Sequence, residues 1–568
     1  MKRAHFTPFL SRRSIAYFSM EIGLHSDIPT YSGGLGVLAG DTLRSAADLE
    51  LPLVGVTLVS RKGYFRQQID AAGWQQEAPD PWEPQRWCPP LRARICVPME
   101  GHDVWVQAWL YTIEGGTGYQ VPVLLLDTDL EENSVEDRRI TDNLYGGDEA
   151  LRLQQEIVLG IGGVRMLRAL GFEIGTYHMN EGHSALLSLE LLWQSARQPG
   201  GRPASDITYD IARVRDRCLF TTHTPVKAGH DKFPYDLVER LLRNYIDLTV
   251  VRPLAGEEHL NMTQLALSLS GYVNGVTKSH AETSKQMFPG YRVHAITNGI
   301  HPTTWAAPSF QQLYDQHLPI WRHEPEILVR ADQLPDEAIW QAHQAAKQAL
   351  IEHIRQVTGK TFDPELPIIG FARRITAYKR PNLLFQSPER LLRIAREHPF
   401  QLVMAGKAHP KDAPAKTMLQ QIQALCNSAH DHCGWAFLPD YDMSLALLLV
   451  SGADFWLNTP KRPMEASGTS GMKAALNGVP NLSILDGWWV EGCIEGITGW
   501  AIGTPLAPDL DQEDAESLYH KLGDVVLPLY RNDRQGWIRI MKGAISKNAY
   551  YFNSLRMMRR YASEAYIR

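Results

Sequence analysis

Short apolar runs, each closing on Gly, Asp, His or Asn, alternate with longer stretches of helical period along most of the chain. LPLVGVTLV (51–59), VPVLLLD (121–127) and CLFTTHT (218–224) read as buried strands in the first half, after a first strand that begins at Ile15. LPIIGFA (366–372), FQLVMAG (400–406), ADFWLN (453–458) and NLSILDG (481–487) read the same way in the second half. Continuous apolar runs are what parallel strands covered on both faces look like. EALRLQQEIVLGIGGVRMLRAL (149–170) and DEAIWQAHQAAKQALIEHIRQV (336–357) lie between them as helices. The alternation predicts an α/β fold with parallel sheets. No repeat of fixed period and no low-complexity linker interrupts it. Two Rossmann-like, doubly wound domains facing across a cleft are expected, joined near TNGIHPTTW (297–305). The boundary is drawn at residues 1–300 and 301–568, with the last helix able to pack back on the N-terminal domain. Open α/β sheets hold ligands beyond the C-terminal ends of their strands. That rule marks His223, Arg373, Arg374, Lys407 and Asp486.

Composition narrows the class. The 568 residues carry 57 Lys plus Arg against 63 Asp plus Glu, a net charge of −6, with 44% hydrophobic and 21% charged residues. These values exclude a disordered, collagenous or disulfide-scaffold chain. Mild acidity speaks against nucleic acid as a partner. No apolar run nears the ~20 residues a bilayer span needs, so no membrane partner is expected. Six cysteines without paired spacing fit reduced thiols and a cytoplasmic location. The Arg-rich opening MKRAHFTPFLSRRS lacks the apolar region of a signal peptide and reads as a short basic lead-in. Cys426, His430, His432 and Cys433 lie close together, but their spacing fits no zinc template, and no metal is expected.

Three segments carry candidate chemistry. YSGGLGVLAGD (31–41) sets Gly33, Gly34 and Gly36 before a helix, either as a tight connection or as backbone N–H groups open to an anion. FARRITAYKRP (371–381) follows a buried strand with Arg373, Arg374, Lys379 and Arg380 and no acid among them. On a strand-end loop this cluster points to a strongly anionic ligand such as phosphate; on a solvated face it points to nothing. In 459–487 the small residues Ser467 to Gly471 precede a helix from about Met472, with Lys473 in its first turn. The helix macrodipole opposes a cation there. A snorkelling surface lysine is the simpler reading from spacing, and a Schiff-base lysine is the other. Glu181 and Glu465 offer a hydrolase pair that leaves the cations unexplained. Trp488 and Trp489 are sugar platforms or core.

Taken together these segments resemble the glycogen/starch (α-glucan) phosphorylase family. EASGTSGMK (465–473) is similar to its cofactor-lysine segment, FARRITAYKR to its phosphate-binding loop and YSGGLGVLAGD to its glycine-rich loop. DNLYGGDEALRLQQE (142–156), NEGHSAL (180–186), TTHTP (221–225) and TNGIHPTTW follow in the family's order. The resemblance implies a glycosyltransferase-B type fold and a hexosyltransferase. It would transfer the non-reducing-end glucosyl unit of an α-1,4-glucan to orthophosphate, giving α-D-glucose 1-phosphate with retention. It implies pyridoxal 5′-phosphate as cofactor, on a Schiff base with Lys473, with Tyr441 in its pocket and Arg373, Gly34, Thr469 and Ser470 at its phosphate. Ser470 and Gly471 stand where relatives commonly carry Gly-Asn, and keep the small size. Arg374 and Lys379 match orthophosphate ligands. His223, Asn298, Glu465, Ser467 and Gly468 match groups that bind glucosyl hydroxyls, with Tyr378 and Leu35 nearby. Asn143 matches ahead of a loop that differs by one residue from animal members.

Two phosphate dianions ~5 Å apart at an effective dielectric of ~20 repel by on the order of 10 kcal/mol. The cations are expected to offset much of this, and a shared proton on the phosphate pair is the implied general acid. About fourteen residues precede the first strand, too few for the regulatory extension of animal members, so constitutive activity is expected. A homodimer is among the assemblies the family allows, and the sequence leaves the oligomeric state open. The competing readings are a nucleotide-sugar glycosyltransferase of the glycogen-synthase kind and a non-catalytic glucan-binding homologue.

Overall fold

The computed structural model describes residues 7–10, 12–196, 208–226, 229–245, 247–428, 434–503 and 511–567. The chain separates into two units. Met1–Tyr64, Pro79–Ile296 and Met558–Arg568 form the first, and Phe65–Ala78 with Thr297–Met557 form the second.

The first unit is built on a nine-stranded sheet. Its strands are β1 (Ser14–Ser19), β2 (Leu53–Leu58), β3 (Pro90–Met99), β4 (His102–Glu114), β5 (Gln120–Asp127), β6 (Ile174–Asn180), β7 (Cys218–Thr221), β8 (Tyr272–Gly275) and β9 (Val293–Ala295). They lie in the order β9-β8-β7-β6-β1-β2-β5-β4-β3. Neighbours from β9 to β5 are parallel. The edge departs from the expected parallel sheet, because β3 and β4 pair antiparallel. The cause lies in the residues: β3 alternates exposed and covered positions, the mark of a half-wet strand, whereas β5 is buried from Val121 to Asp127.

The expected helix over 149–170 runs as Glu149–Ile157, a π turn at Val158–Gly162, and Gly163–Ala169. Asp148 caps it by accepting from Leu151 N at 2.9 Å. Gly163 lets this helix close on the sheet, since a Cβ there would stand 2.5 Å from the Phe18 ring. Any larger residue at Gly163 would push the helix off the core. The chain leaves β1 for β2 on one side and returns to β6 on the other, so the switch point lies beyond the C-terminal ends of β1 and β6. The last segment belongs here too. Tyr566 OH meets His178 Nδ1 at 2.8 Å, and Asn274 Nδ2 donates to Tyr561 OH at 2.9 Å.

The second unit holds a six-stranded sheet: β10 (Ile368–Ala372), β11 (Gln401–Ala405), β12 (Gly434–Leu438), β13 (Phe455–Asn458), β14 (Asn481–Ile484) and β15 (Gly499–Ile502). The order is β12-β11-β10-β13-β14-β15, all parallel, which puts the switch point at the ends of β10 and β13. The long helix Asp336–Thr358 covers this sheet and stops at Gly359, in the left-handed region at φ 71. It supplies a buried ion cluster at the opposite, N-terminal strand edge. There Asp454 accepts from His343 Nε2 at 2.9 Å, Lys347 Nζ at 2.9 Å and Ile368 N at 2.7 Å. The hairpin Arg66–Ile69 and Gln75–Ala78 joins this unit through Gln67 Nε2 to Gly406 O at 2.8 Å and Gln75 Nε2 to Ala408 O at 2.9 Å. Lys407, marked as a strand-end candidate, is committed to Phe65 O at 2.8 Å and Asp440 at 2.6 Å.

Among the described residues no helix is long and apolar enough to cross a membrane, and no group of three or more His, Cys, Asp or Glu could hold a metal ion. His430, His432 and Cys433 lie outside the described residues. Cys88, Cys96, Cys218, Cys426 and Cys493 are free thiols.

Candidate active site

In the second unit the loop after β10 opens with Arg373. Its Nη2 donates to Glu465 Oε2 at 2.6 Å, and Lys379 Nζ reaches the same oxygen. The loop looked free of acids because its carboxylate arrives 92 residues later. Burial alone would raise the Glu465 pKa, but Lys379 and Arg373 overcome it and hold the carboxyl at about 2. Arg373 Nε and Nη1 are buried with no partner, so the guanidinium keeps donors for a further acceptor. Lys379 Nζ also lies 4.7 Å from the centre of the Tyr378 ring. Arg374 is exposed, and its charge adds to the burial that lowers the His409 pKa. Arg380 leaves the cluster: it donates to Thr459 O at 3.0 Å, Pro460 O at 2.9 Å, Asp511 at 2.8 Å and Asp514 at 2.7 Å. It is a structural clamp rather than a ligand for an anion.

Lys473 lies on the helix Ser470–Leu476, which starts two residues earlier than expected. It is 6% exposed, which overturns the surface-lysine reading. Its Nζ sits 3.6 Å from the centre of the Trp305 ring. Gly471 has to be small, because a Cβ there would meet Asn481 Oδ1 at 2.4 Å and the Trp488 ring at 2.7 Å. Trp488 and Trp489 are buried core residues, which removes them as sugar platforms. Ser470 Oγ accepts from Trp456 Nε1 at 3.1 Å, and Thr469 caps the helix without a side-chain bond. Burial raises the Tyr441 pKa and Arg373 opposes the rise. Ser467 Oγ and Asn298 Oδ1 are buried without partners, and Gly468 turns the segment at φ 84.

The first unit treats its candidates differently. Gly33 caps the helix Gly34–Asp48, but the amides of Ser32 and Gly33 are already taken. Glu21 Oε2 accepts from them at 2.6 and 3.1 Å, and Tyr145 OH donates to Glu21 Oε1 at 2.9 Å. Of the two readings of this loop, the amides of Ser32 and Gly33 thus serve an internal carboxylate, while Gly34 is exposed with open space at its Cβ position and Leu35 is half-buried. Asn143 is exposed, and its carbonyl accepts from Gln155 Nε2 at 2.8 Å.

His223 follows β7. Its amide donates to Glu181 Oε2 at 2.7 Å, and its Nε2 meets Asn180 Oδ1 at 2.6 Å. Asn180 Nδ2 donates to Ser19 Oγ at 3.0 Å, which leaves Oδ1 as the acceptor and the proton on Nε2. Burial, with His280 and His183 adding to it, depresses the His223 pKa to about 3, so the ring is neutral near pH 7. Glu181 also accepts from Thr224 Oγ1 at 3.0 Å and holds φ 72, a conformation that strains a residue with a side chain. Glu181 and Glu465 are thus both engaged in holding neighbours, which does not suit the hydrolase pair. Glu21 and Asn180 received no role in the sequence reading, nor did Trp305, although Asn180 and Trp305 lie inside the matching segments NEGHSAL and TNGIHPTTW. The first two stand at or just after the C-terminal ends of β1 and β6, and that position is the signal that could have found them.

The family model described as carbohydrate phosphorylase matches residues 24–102 and 244–495, which include Gly34, Asn298 and every second-unit residue named above from Arg373 to Lys473. Asn143 and His223 fall outside the matched segments. The chain is similar to the maltodextrin phosphorylase of Thermococcus litoralis, 38% identical over 97% of this chain and 70% of the relative. It is similar to the glycogen phosphorylase of Mycobacterium tuberculosis, 37% identical over 97% of this chain and 70% of the relative. The glycogen phosphorylase of Aquifex aeolicus is 35% identical over 98% of this chain and 86% of its own length. With two doubly wound α/β units and matches of this extent, the chain belongs to the carbohydrate phosphorylase family.

Proposed function

We propose that the protein is an α-1,4-glucan phosphorylase. It moves the non-reducing-end glucosyl unit of glycogen, starch or maltodextrin onto orthophosphate, reversibly, and releases α-D-glucose 1-phosphate with retention. The observation that carries this reading is the buried Arg373–Glu465–Lys379 cluster, with two guanidinium nitrogens unpartnered, inside the segment that matches the family. A largely buried cluster with spare donors binds a multiply charged oxyanion better than a hydroxyl. The names of the relatives support the glucan and the phosphate as substrates.

The second unit's donor set also fits pyridoxal 5′-phosphate: a buried lysine against an indole, an arginine with spare nitrogens, and a run of small hydroxyl-bearing residues. Lys473 would hold its aldehyde, and Tyr441, Arg373, Thr469 and Ser470 would hold its ring and phosphate. When bound, the group supplies a phosphate able to pass a proton. Lys379 and Arg374 hold orthophosphate. Glu465, Asn298, Ser467 and Gly468 bind glucosyl hydroxyls, with Tyr378 beside them. In the first unit we assign Gly34 to the cofactor phosphate, as the family resemblance implies, and Leu35, Asn143 and His223 to substrate. His223, being neutral, orients the sugar through its ring or its carbonyl without adding a charge. The free thiols accord with a cytoplasmic enzyme.

Maltodextrin incubated with and without orthophosphate tests the proposal. Phosphate-dependent release of glucose 1-phosphate is the expected result. Glucose released without phosphate, or transfer only from a nucleotide sugar, overturns it.

A further inference from the structure

Asp486 stands just past β14 and feels the charge of Lys379, while its own hydrogen bonds go to backbone amides. Its Oδ2 accepts from Glu465 N at 2.8 Å and its Oδ1 from Gly487 N at 2.9 Å. The same turn grips the neighbouring segment again, through Trp488 N to Ser467 O at 2.9 Å. Gly487 lies at φ 56, and a Cβ there would stand 2.5 Å from Ser467 O, so the two strands of chain touch directly. Glu465 to Gly468 is therefore seated on the turn Asp486–Trp488, and the Glu465 side chain reaches Arg373 and Lys379 from that seat.

We propose that Asp486 is a positioning residue: its carboxylate fixes the Glu465–Gly468 segment, and anion binding at Arg373 and Lys379 depends on that carboxylate. The proposal rests on the phosphorylase reading only for the identity of the natural anion. Both carboxyl oxygens face amide donors, and the ionised form accepts from them most strongly; a protonated carboxyl keeps its acceptor lone pairs but loses the charge assistance. Burial raises the Asp486 pKa to about 7, opposed by the amides of Glu465 and Gly487, assisted by the Glu465 charge and opposed by Lys379. Glu465 itself remains ionised far below that range. As pH falls through about 7, Asp486 takes up a proton, its bond to the Glu465 amide loses its charge assistance, the hold on the Glu465–Gly468 segment weakens, and anion affinity falls.

Sulfate is the probe, because it is a dianion that does not titrate in this range, unlike phosphate. Its affinity for the full-length protein is measured by calorimetry at about pH 8 and about pH 6. The wild type should bind several-fold more weakly at the lower pH. Asp486→Asn should bind about tenfold more weakly than wild type at the higher pH, the loss expected for a misplaced charge-assisted contact, and should lose the pH dependence. Equal wild-type affinity at both pH values, or no sulfate binding at all, overturns the proposal, and this arm needs no variant to fold. A folded Asp486→Asn that keeps the wild-type affinity or the wild-type pH dependence also overturns it. The phosphorylase reading fails separately, in the maltodextrin assay, while the sulfate result stands by itself.

Discussion

The two units place candidate residues at the same kind of location, the C-terminal edge of a doubly wound sheet, yet hold them by opposite means. In the first, Asn180, Glu181 and His223 are tied by hydrogen bonds around a neutral ring, and the nearby histidines are buried uncharged. In the second, Arg373, Lys379 and Glu465 are tied by charge. Neutral networks discriminate by direction and can sort one hydroxyl from another, whereas ion clusters in low dielectric discriminate by charge. Under the proposed function the neutral network answers the sugar and the cations Arg373 and Lys379 answer phosphate, while Glu465, Asn298, Ser467 and Gly468 of the second unit also hold glucosyl hydroxyls.

The largest effect should come from Lys473→Ala, which on this division removes essentially all turnover. Borohydride reduction of the holoprotein should leave a pyridoxyl label on the peptide that contains Lys473, and a label elsewhere would break the assignment. Lys379→Ala comes next. Orthophosphate affinity should fall about 10- to 100-fold, the cost of a charge-assisted contact, with glucan affinity unmoved. Equal loss for both substrates would erase the distinction between the units. His223→Phe should mirror it, lowering kcat/KM for maltodextrin about tenfold while phosphate binding holds. With the His223 pKa at about 3, the wild-type rate profile should carry no limb from this ring near pH 6.5.

The smallest effect is on local stability under acid. His178 and His223 fall from 6.5 to about 3, and His183 and His280 from 6.5 to about 4. The unfolded chain therefore binds more protons than the folded one in that window, and the first unit loses stability as pH drops below about 6.5. Glu465, held at about 2 against an ordinary 4.5, begins to lose its contribution only below about 4.5. Hydrogen exchange followed by mass spectrometry at about pH 5 should show 178–184, 223–226 and 229–231 loosening before the helix 470–476. The reverse order would contradict the comparison.

The strands of both sheets were legible wherever burial on two faces leaves an unbroken apolar run, as in β5, β10 and β11. The edge strand β3 was not, because its alternation passes through prolines and arginines in WCPPLRARICVPM (87–99). In the site, adjacent residues were easy to overvalue. Arg380 looked equivalent to Arg373, and only the fold brings Asp511 and Asp514 to take it away. Glu21 was invisible for the same reason: nothing in its local sequence says that Ser32 and Gly33 will turn their amides toward it. The burial of Lys473 depends on Trp305, more than a hundred and sixty residues away along the chain.

The contact between Trp305 and Lys473 has an optical consequence. An indole whose ring centre lies 3.6 Å from the amine is within touching range of any chromophore condensed there, so its excited state has an immediate route to decay. Under the proposed function, Trp305 of the 15 tryptophans would report whether that lysine holds the cofactor. Its emission should rise when a resident aldehyde is stripped and fall when it is restored, and Trp305→Phe should abolish that share of the signal.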